Sequence, residues 1–190
     1  MFKVTINGTI DAVWREITRT DKPQGAFFNM RLHTPGLAPG APMQMRTKNG
    51  KHTGAVGEVL EFDPPHRYTH TLKFTNLSDP PCVVTYDLKE TPAGVEFMMT
   101  VTRIPVGTKS AKQLTSGGTM IVNTLKAIVE TGKPSLGTRT LYAMFGLLGF
   151  TTPAACKAEH WPVDKVHAPL RDAPPEREGS EARPGSTPAA

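Results

Sequence analysis

Apolar and polar side chains alternate with a period of two through most of the first hundred residues, then shift to a helical period. "FKVTINGT" sets Phe2, Val4 and Ile6 against Lys3 and Thr5, the pattern of a half-buried strand. "DAVWREIT" follows, with Val13, Trp14 and Ile17 on one helical face and Asp11 placed to cap or charge the first turn. The stretch "DKPQGAFFNM" predicts either a second short helix or an irregular apolar flap, and "TPGLAPGAP" (34–42) is loop by composition. "MQMRT", "TGAVGEVLEF", "YTHTLKF", "CVVTYDLKE" and "VEFMMTVTR" then read as strands joined by short turns, which together make an antiparallel meander. Gly54 and Gly57 predict a bulge or sharp bend, and apolar residues at both parities leave the register there open.

From about Ser110 to Thr131 the pattern is helical, with Leu114, Ile121, Leu125 and Ile128 on one face. The Gly117-Gly118 pair weakens such a helix by roughly 1 kcal/mol per glycine relative to alanine. The helix therefore either kinks there or lets something approach its backbone closely. Gly132 and Pro134 are stop signals. A second helix is expected from about Thr138 to Gly149, and "EHWPVDK" tucks Trp161 back onto the body. From Ala168 onward, large apolar side chains almost vanish, so burial cannot offset ordering entropy and residues 168–190 read as a disordered tail.

A strand, a helical pair, a meander and a long amphipathic helix form an α+β order in which the late helix covers a curved antiparallel sheet. Alternation puts Tyr68, His70, Leu72 and Phe74 on one face of their strand. Met43 and Met45, Tyr86, and Phe97 with Met99 occupy the matching positions of neighbouring strands. Opposite them the helix presents Gly118, Ile121 and Leu125, and Phe27 and Phe28 either gate the space between or, within a short helix, belong to the core. These residues either fill an ordinary core or wall a gap suited to an apolar small molecule.

Composition narrows the classes. With 38% hydrophobic and 21% charged residues, the 190-residue chain has enough apolar material for one domain with a sizeable core. The net charge of +5 permits contact with anions, but the basic residues are dispersed, which argues against a nucleic-acid stripe. Cys82 and Cys156 lie far apart and outside any CxxC spacing, the usage of a reduced, cytoplasmic protein. "MFKVTINGTI" lacks the apolar core of a signal peptide, and "LYAMFGLLGF" is about half the roughly 20 residues a membrane span needs.

No nucleophile motif, phosphate loop or metal-ligand spacing is present, so neither a metal nor a cofactor is expected. His70 is the one histidine on the inferred inner face. It serves either as an acid or base tuned by burial, or as a neutral imidazole bonded to Tyr68, Tyr86 or the backbone. If the protein is an enzyme, His70, Tyr68, Tyr86 and Glu58 are its candidate catalytic groups. Glu58 and Glu61 have opposite parity, so at most one points inward without a bulge at Gly57, and either could instead pair with Arg46, Arg67 or Lys73.

Several ordered stretches resemble one family. "INGTIDAVWREIT" looks like the first strand and helix of SRPBCC, or START-like, domains. "GEVLEFDPPHRYTHTL" is similar to their Gly-x-Val/Leu-Glu-x-Asp-Pro-Pro-x-Arg-Leu run, in particular in the family of the activator of heat-shock protein 90 ATPase. "VVTYDLKETPAGVEFMMTVT" and "SGGTMIVNTLKAIVETGKPSLG" resemble its next two strands and final helix. The resemblance implies a helix-grip fold over residues 1–135, with a hydrophobic cavity between sheet and helix. Residues 136–167 would be a C-terminal helical extension. Where such domains carry a tryptophan, this chain has Gly118, which implies a change of ligand or a larger pocket. The functions implied are binding or carriage of a small hydrophobic molecule (lipid, aromatic or polyketide-like), a cyclase or dehydratase reaction in the same cavity, or co-chaperone action on a chaperone ATPase. The segment 138–161, with Leu141, Met144, Phe145, Leu148 and Phe150, either packs on its own domain or meets a chaperone or a membrane surface.

Overall fold

The computed structural model describes residues 1–104, 106–147 and 152–169, with the main chain alone at 145–147. The expected tail from residue 170 and the expected helix end at 148–149 lie outside the described residues. Strands β1 (Phe2–Ile6), β2 (Arg31–His33), β3 (Pro42–Arg46), β4 (Thr53–Asp63), β5 (Arg67–Phe74), β6 (Cys82–Thr91) and β7 (Gly94–Thr102) form one antiparallel sheet in the order β1-β7-β6-β5-β4-β3-β2. Helices α1 (Ile10–Thr18) and α2 (Lys109–Thr131) contact β1, β6 and β7, and α3 (Leu136–Leu147) follows. This is the expected α+β helix-grip architecture.

Local signals place the elements. Thr9, and not Asp11, caps α1 by accepting from the Ala12 N–H at 3.2 Å, while Asp11 sits in the first turn. Thr108 caps α2 by accepting from the Ala111 N–H at 3.1 Å. Gly132 ends that helix with φ 78°, its N–H donating to the Ile128 carbonyl. "AFFNM" forms no helix. It lies in a turn closed by a bridge between Gln24 and Met30, with Phe28 and Asn29 both at positive φ (56° and 57°). Gly57 is required by proximity: a Cβ there would lie 1.9 Å from the Thr71 carbonyl oxygen. The expected irregularity occurs at Gly54, which the β3–β4 pairing skips between Thr53 and Ala55, and a second bulge falls between Val59 and Glu61.

Register assembles one row of side chains across five strands. Phe62 stands opposite Tyr68, Tyr68 opposite Tyr86, Tyr86 opposite Met99, and Met99 opposite Phe2. Trp14 of α1 meets Phe62 at 5.3 Å between centroids. At the other end the Phe2 ring fills the space beside Gly118 of α2, where a Cβ would come within 2.4 Å of it. The helix is continuous through the glycine pair, which admits aromatic rings, Phe2 at Gly118 and Phe28 at Gly117. The room that Gly118 was expected to give a ligand is taken by Phe2.

The opposite face of the sheet is also covered. Residues 152–169, with short 3-10 turns at Ala154–Cys156 and Ala158–His160, run over β3, β4 and β5 as a strap. Gln44 donates to the Pro162 carbonyl (3.0 Å), Arg46 to that of Trp161 (2.8 Å) and Thr71 to that of Ala168. The Ala158 N–H donates to the Lys51 carbonyl at 3.0 Å. This explains why Gln44, Val56, Thr71 and Thr75, whose parity points them away from the core, are buried. Ala168, expected at the start of the tail, is buried under this strap.

Two outcomes follow for stability. A chain ending at Pro169 should keep the full-length Tm, while one ending at residue 151 loses the strap's hydrogen bonds. At about 1 kcal/mol per bond and roughly 2–4 °C per kcal/mol, its Tm should fall on the order of 10 °C in a thermal melt followed by circular dichroism. Equal melting temperatures would show that the strap contributes nothing. In the same assay Gly117→Ala should raise Tm, since its Cβ would make an ordinary 3.4 Å contact with Phe28. Gly118→Ala should lower it, because Phe2 blocks the position.

Candidate functional site

The inner face of β5 and β6 brings together an aromatic group that the sequence pattern had aligned. Tyr68, His70 and Tyr86 have ring centroids 5.0 Å (Tyr68–His70), 5.6 Å (His70–Tyr86) and 5.8 Å (Tyr68–Tyr86) apart. Phe97 stacks on Tyr86 at 5.7 Å, and Phe27, from the 24–30 turn, meets the same ring at 5.7 Å. Met43, Met45, Met99, Ile121 and Leu125 are buried in the same cluster, with Leu72 and Phe74 partly buried against it. Most of the expected lining residues are thus assembled on one side of the sheet, whereas Phe28 is half-exposed against Tyr142 and Gly118 faces Phe2. Two surface clefts of about 430 and 260 Å³ lie elsewhere, at Lys133–Leu136 with Arg139, and at Lys51 with Lys157.

Electrostatics inside the cluster follow from burial. The His70 Nδ1–H donates to the Thr71 carbonyl at 2.9 Å, which leaves Nε2 with the lone pair. Desolvation pushes the His70 pKa down to about 4, against the weaker opposing effect of that bond. The imidazole is therefore neutral at physiological pH and a weak base. Burial raises both tyrosine hydroxyls well above the ordinary phenol range. The Tyr68 hydroxyl is fully buried and has no hydrogen-bond partner.

Glu58 does not join this group. Val59 stands opposite His70, so its neighbour Glu58 projects from the other face, beside the strap. The Glu58 N–H donates to Thr71 Oγ1, which in turn donates to Ala168. Glu61 is exposed and pairs with Arg67 at 3.0 Å. Among the described residues no group of three His, Cys, Asp or Glu gathers for a metal, and no helix is long and apolar enough to cross a membrane. Cys82 and Cys156 are free and buried, and burial pushes the Cys82 thiol up to about 12.

The turn that carries Phe27 and Phe28 is held from two sides. Gln24 Nε2 donates to the Ile17 and Arg19 carbonyls at the end of α1, and the Gly25 N–H donates to Glu16 at 2.9 Å. From above, Tyr142 of α3 donates to the Gly25 carbonyl at 2.8 Å and faces the half-exposed Phe28 ring. The described part of the 138–161 segment thus packs on its own domain, leaving Met144 exposed. The side chain of Phe145, and Leu148 and Phe150, lie outside the described residues. Sequence pattern had not singled out Gln24, Glu16 or Tyr142, because their turn-holding partners are backbone groups that only the fold brings to them.

A model of the family described as activator of Hsp90 ATPase homolog 1-like protein matches residues 7–130. None of the curated proteins matches the chain. Among solved structures, DynU16 from the dynemicin biosynthetic locus is similar at 24% identity and TM-score 0.55, over 70% of this chain and 47% of DynU16. The chain thus spans about half of that protein's length. CalU16 from Micromonospora echinospora is similar at 18% identity and TM-score 0.55, over 76% of this chain and 81% of its own. An HSP90 activator from Plasmodium falciparum shares 17% identity at TM-score 0.55, over 70% and 96% respectively. These likenesses establish the shared fold.

The buried imidazole sets a pH dependence. An unfolded histidine takes up its proton near 6.5, whereas folded His70 does so near 4. Between these values the unfolded chain binds more protons, so stability should fall as pH drops through that window, by on the order of 3 kcal/mol in all. Urea titrations at pH 4.5 and 7 should show this slope in the native chain and a flatter one in His70→Phe. An equal slope in both would place His70 outside the titrating groups.

Proposed function

The chain belongs to the activator of Hsp90 ATPase homolog 1-like family, and from that premise we propose that it binds a small, mostly apolar molecule between the sheet and α2. The molecule would carry one hydroxyl or carbonyl group, taken up by Tyr68. The observation that supports this reading most directly is the buried Tyr68 hydroxyl without a partner. Leaving such a group unsatisfied costs about 1–3 kcal/mol, and a buried polar atom in that condition calls for an explanation. A ligand hydroxyl or carbonyl would satisfy it, while the surrounding methionines and aromatic rings accept a range of apolar shapes.

Access would come through the 24–30 turn, whose Phe27 ring occupies the position over Tyr86. Two successive residues at positive φ give that turn an unfavourable backbone, so an alternative arrangement is within reach. Binding is favoured over turnover because a histidine with a pKa of about 4 is a poor proton acceptor at neutral pH. With Glu58 on the other face, the cluster also lacks a carboxylate. A cyclase or dehydratase function would thus rest on Tyr68, His70 and Tyr86 alone.

The family match favours a second reading, stimulation of a chaperone ATPase through an outer surface. Turnover of an Hsp90-class ATPase with and without the protein tests it directly: a rise in rate that survives Tyr68→Phe supports co-chaperone action independent of the interior.

For the binding reading, native mass spectrometry of the freshly purified protein and a thermal-shift screen of phenols, fatty acids and polyketide-like aromatics are the deciding measurements. Active compounds should raise Tm in a saturable way. Tyr68→Phe should keep or raise the stability of the free protein, yet weaken compounds bearing a hydroxyl or carbonyl about 10-fold relative to their deoxy analogues, a loss of about 1.4 kcal/mol. No co-purifying species and no saturable shift across the screen would sink the reading.

A further inference from the structure

The far edge of the sheet gathers cationic groups that no carboxylate pairs among the described residues. Leu32 is buried in the core, so Arg31 and His33 on either side of it project from the other face of β2. Their cross-strand partners are Arg46 and Gln44, which share that face. Arg31 and Arg46 thus stand directly opposite each other, an arrangement that is destabilising for like charges. Among the described residues neither arginine has an ion-pair partner. The nearby Asp21 carboxylate accepts from Arg19 at 3.2 Å, and Asp21 gives Arg31 only its backbone carbonyl.

Two further features coincide at this spot. Arg46 uses its Nε on Gln44 Oε1 (3.0 Å) and one terminal nitrogen on the Trp161 carbonyl (2.8 Å), but the Arg31 Nε is buried with no acceptor at all. His33 is held below its ordinary pKa by burial, then by Arg46 and Arg31. An opposed cation pair and an unsatisfied guanidinium N–H are two costs that one event would relieve. We infer that Arg31, His33 and Arg46 form a binding site for an oxyanion group, a phosphate or a carboxylate, on the outer edge of the sheet. Guanidinium forks suit such oxygens because they donate in a plane at matching spacing. The strap residues Trp161 and Pro162 rim the site through their carbonyls. The T-shaped pair of Trp161 with His167, 5.2 Å apart, belongs to the same strap.

The test uses the full chain and two probes, inorganic phosphate and acetate, each titrated against chloride at equal ionic strength so that screening cancels. NMR of the His33 imidazole reports directly on the site. Saturable shifts are expected, together with a rise in the His33 pKa, because a neighbouring anion favours the imidazolium. Response to phosphate alone assigns the site to phosphorylated molecules, and response to acetate assigns it to carboxylates; either supports the inference. Arg31→Met should weaken binding at least about 10-fold. Should that variant fail to fold, Arg46→Met supplies the same comparison, and the native chain's Tm should still rise with probe concentration beyond the chloride control. No saturable shift with either probe, or unchanged binding in a folded arginine variant, would overturn the site.

Discussion

The fold hangs on one cross-strand row of large side chains. Phe62, Tyr68, Tyr86, Met99 and Phe2 share a face because antiparallel register puts them directly opposite one another across β4, β5, β6, β7 and β1. Rings at this spacing gain from area burial and from favourable tilted contacts. The row's ends fix the helices. Trp14 seats α1 on Phe62, and Phe2 reaches α2 only because Gly118 has no side chain. A helix-weakening residue therefore sits in the longest helix because the sheet's last ring needs its space.

The same row creates the chemistry of the interior. Placing Tyr68 in the row between Phe62 and Tyr86 buries the hydroxyl among rings and leaves it without a partner. Placing His70 one register step away removes water from the imidazole and ties its only proton to the Thr71 carbonyl. The result is a neutral, polar spot in an apolar wall, suited to orienting a ligand and poorly suited to moving protons. Both faces of the sheet are closed by the chain itself, the inner one by α1, α2 and the 24–30 turn under Tyr142, and the outer one by the strap. Those two covers differ in kind. The inner one joins aromatic contact to hydrogen bonds that hold the turn's backbone. The outer one rests on hydrogen bonds from buried Gln44 and Thr71 and half-buried Arg46 to backbone carbonyls.

Much of this was legible in the sequence because the informative quantity is local. Alternation in "YTHTLKF" set Tyr68 and His70 on the core side, and the 3.6-residue spacing of Leu114, Ile121 and Leu125 gave the long helix and its buried face. Gly132 announced the helix end through its freedom to adopt positive φ. What sequence could not decide depended on which distant segment arrives where. Parity left Glu58 and Glu61 equivalent until the bulge near Leu60 fixed the register. It gave Gln44 and Thr71 a solvent face that the strap then buried. Gly118 advertised missing volume, but only the pairing of β1 with β7 brought Phe2 to fill it. Arg31 and Arg46 lie far apart along the chain and face each other only through β2–β3 pairing. Side-chain period is a property of each segment alone, so the sequence by itself determined the elements and their buried faces. Occupancy, satisfaction and charge pairing are properties of two segments at once, and only the tertiary structure could decide them.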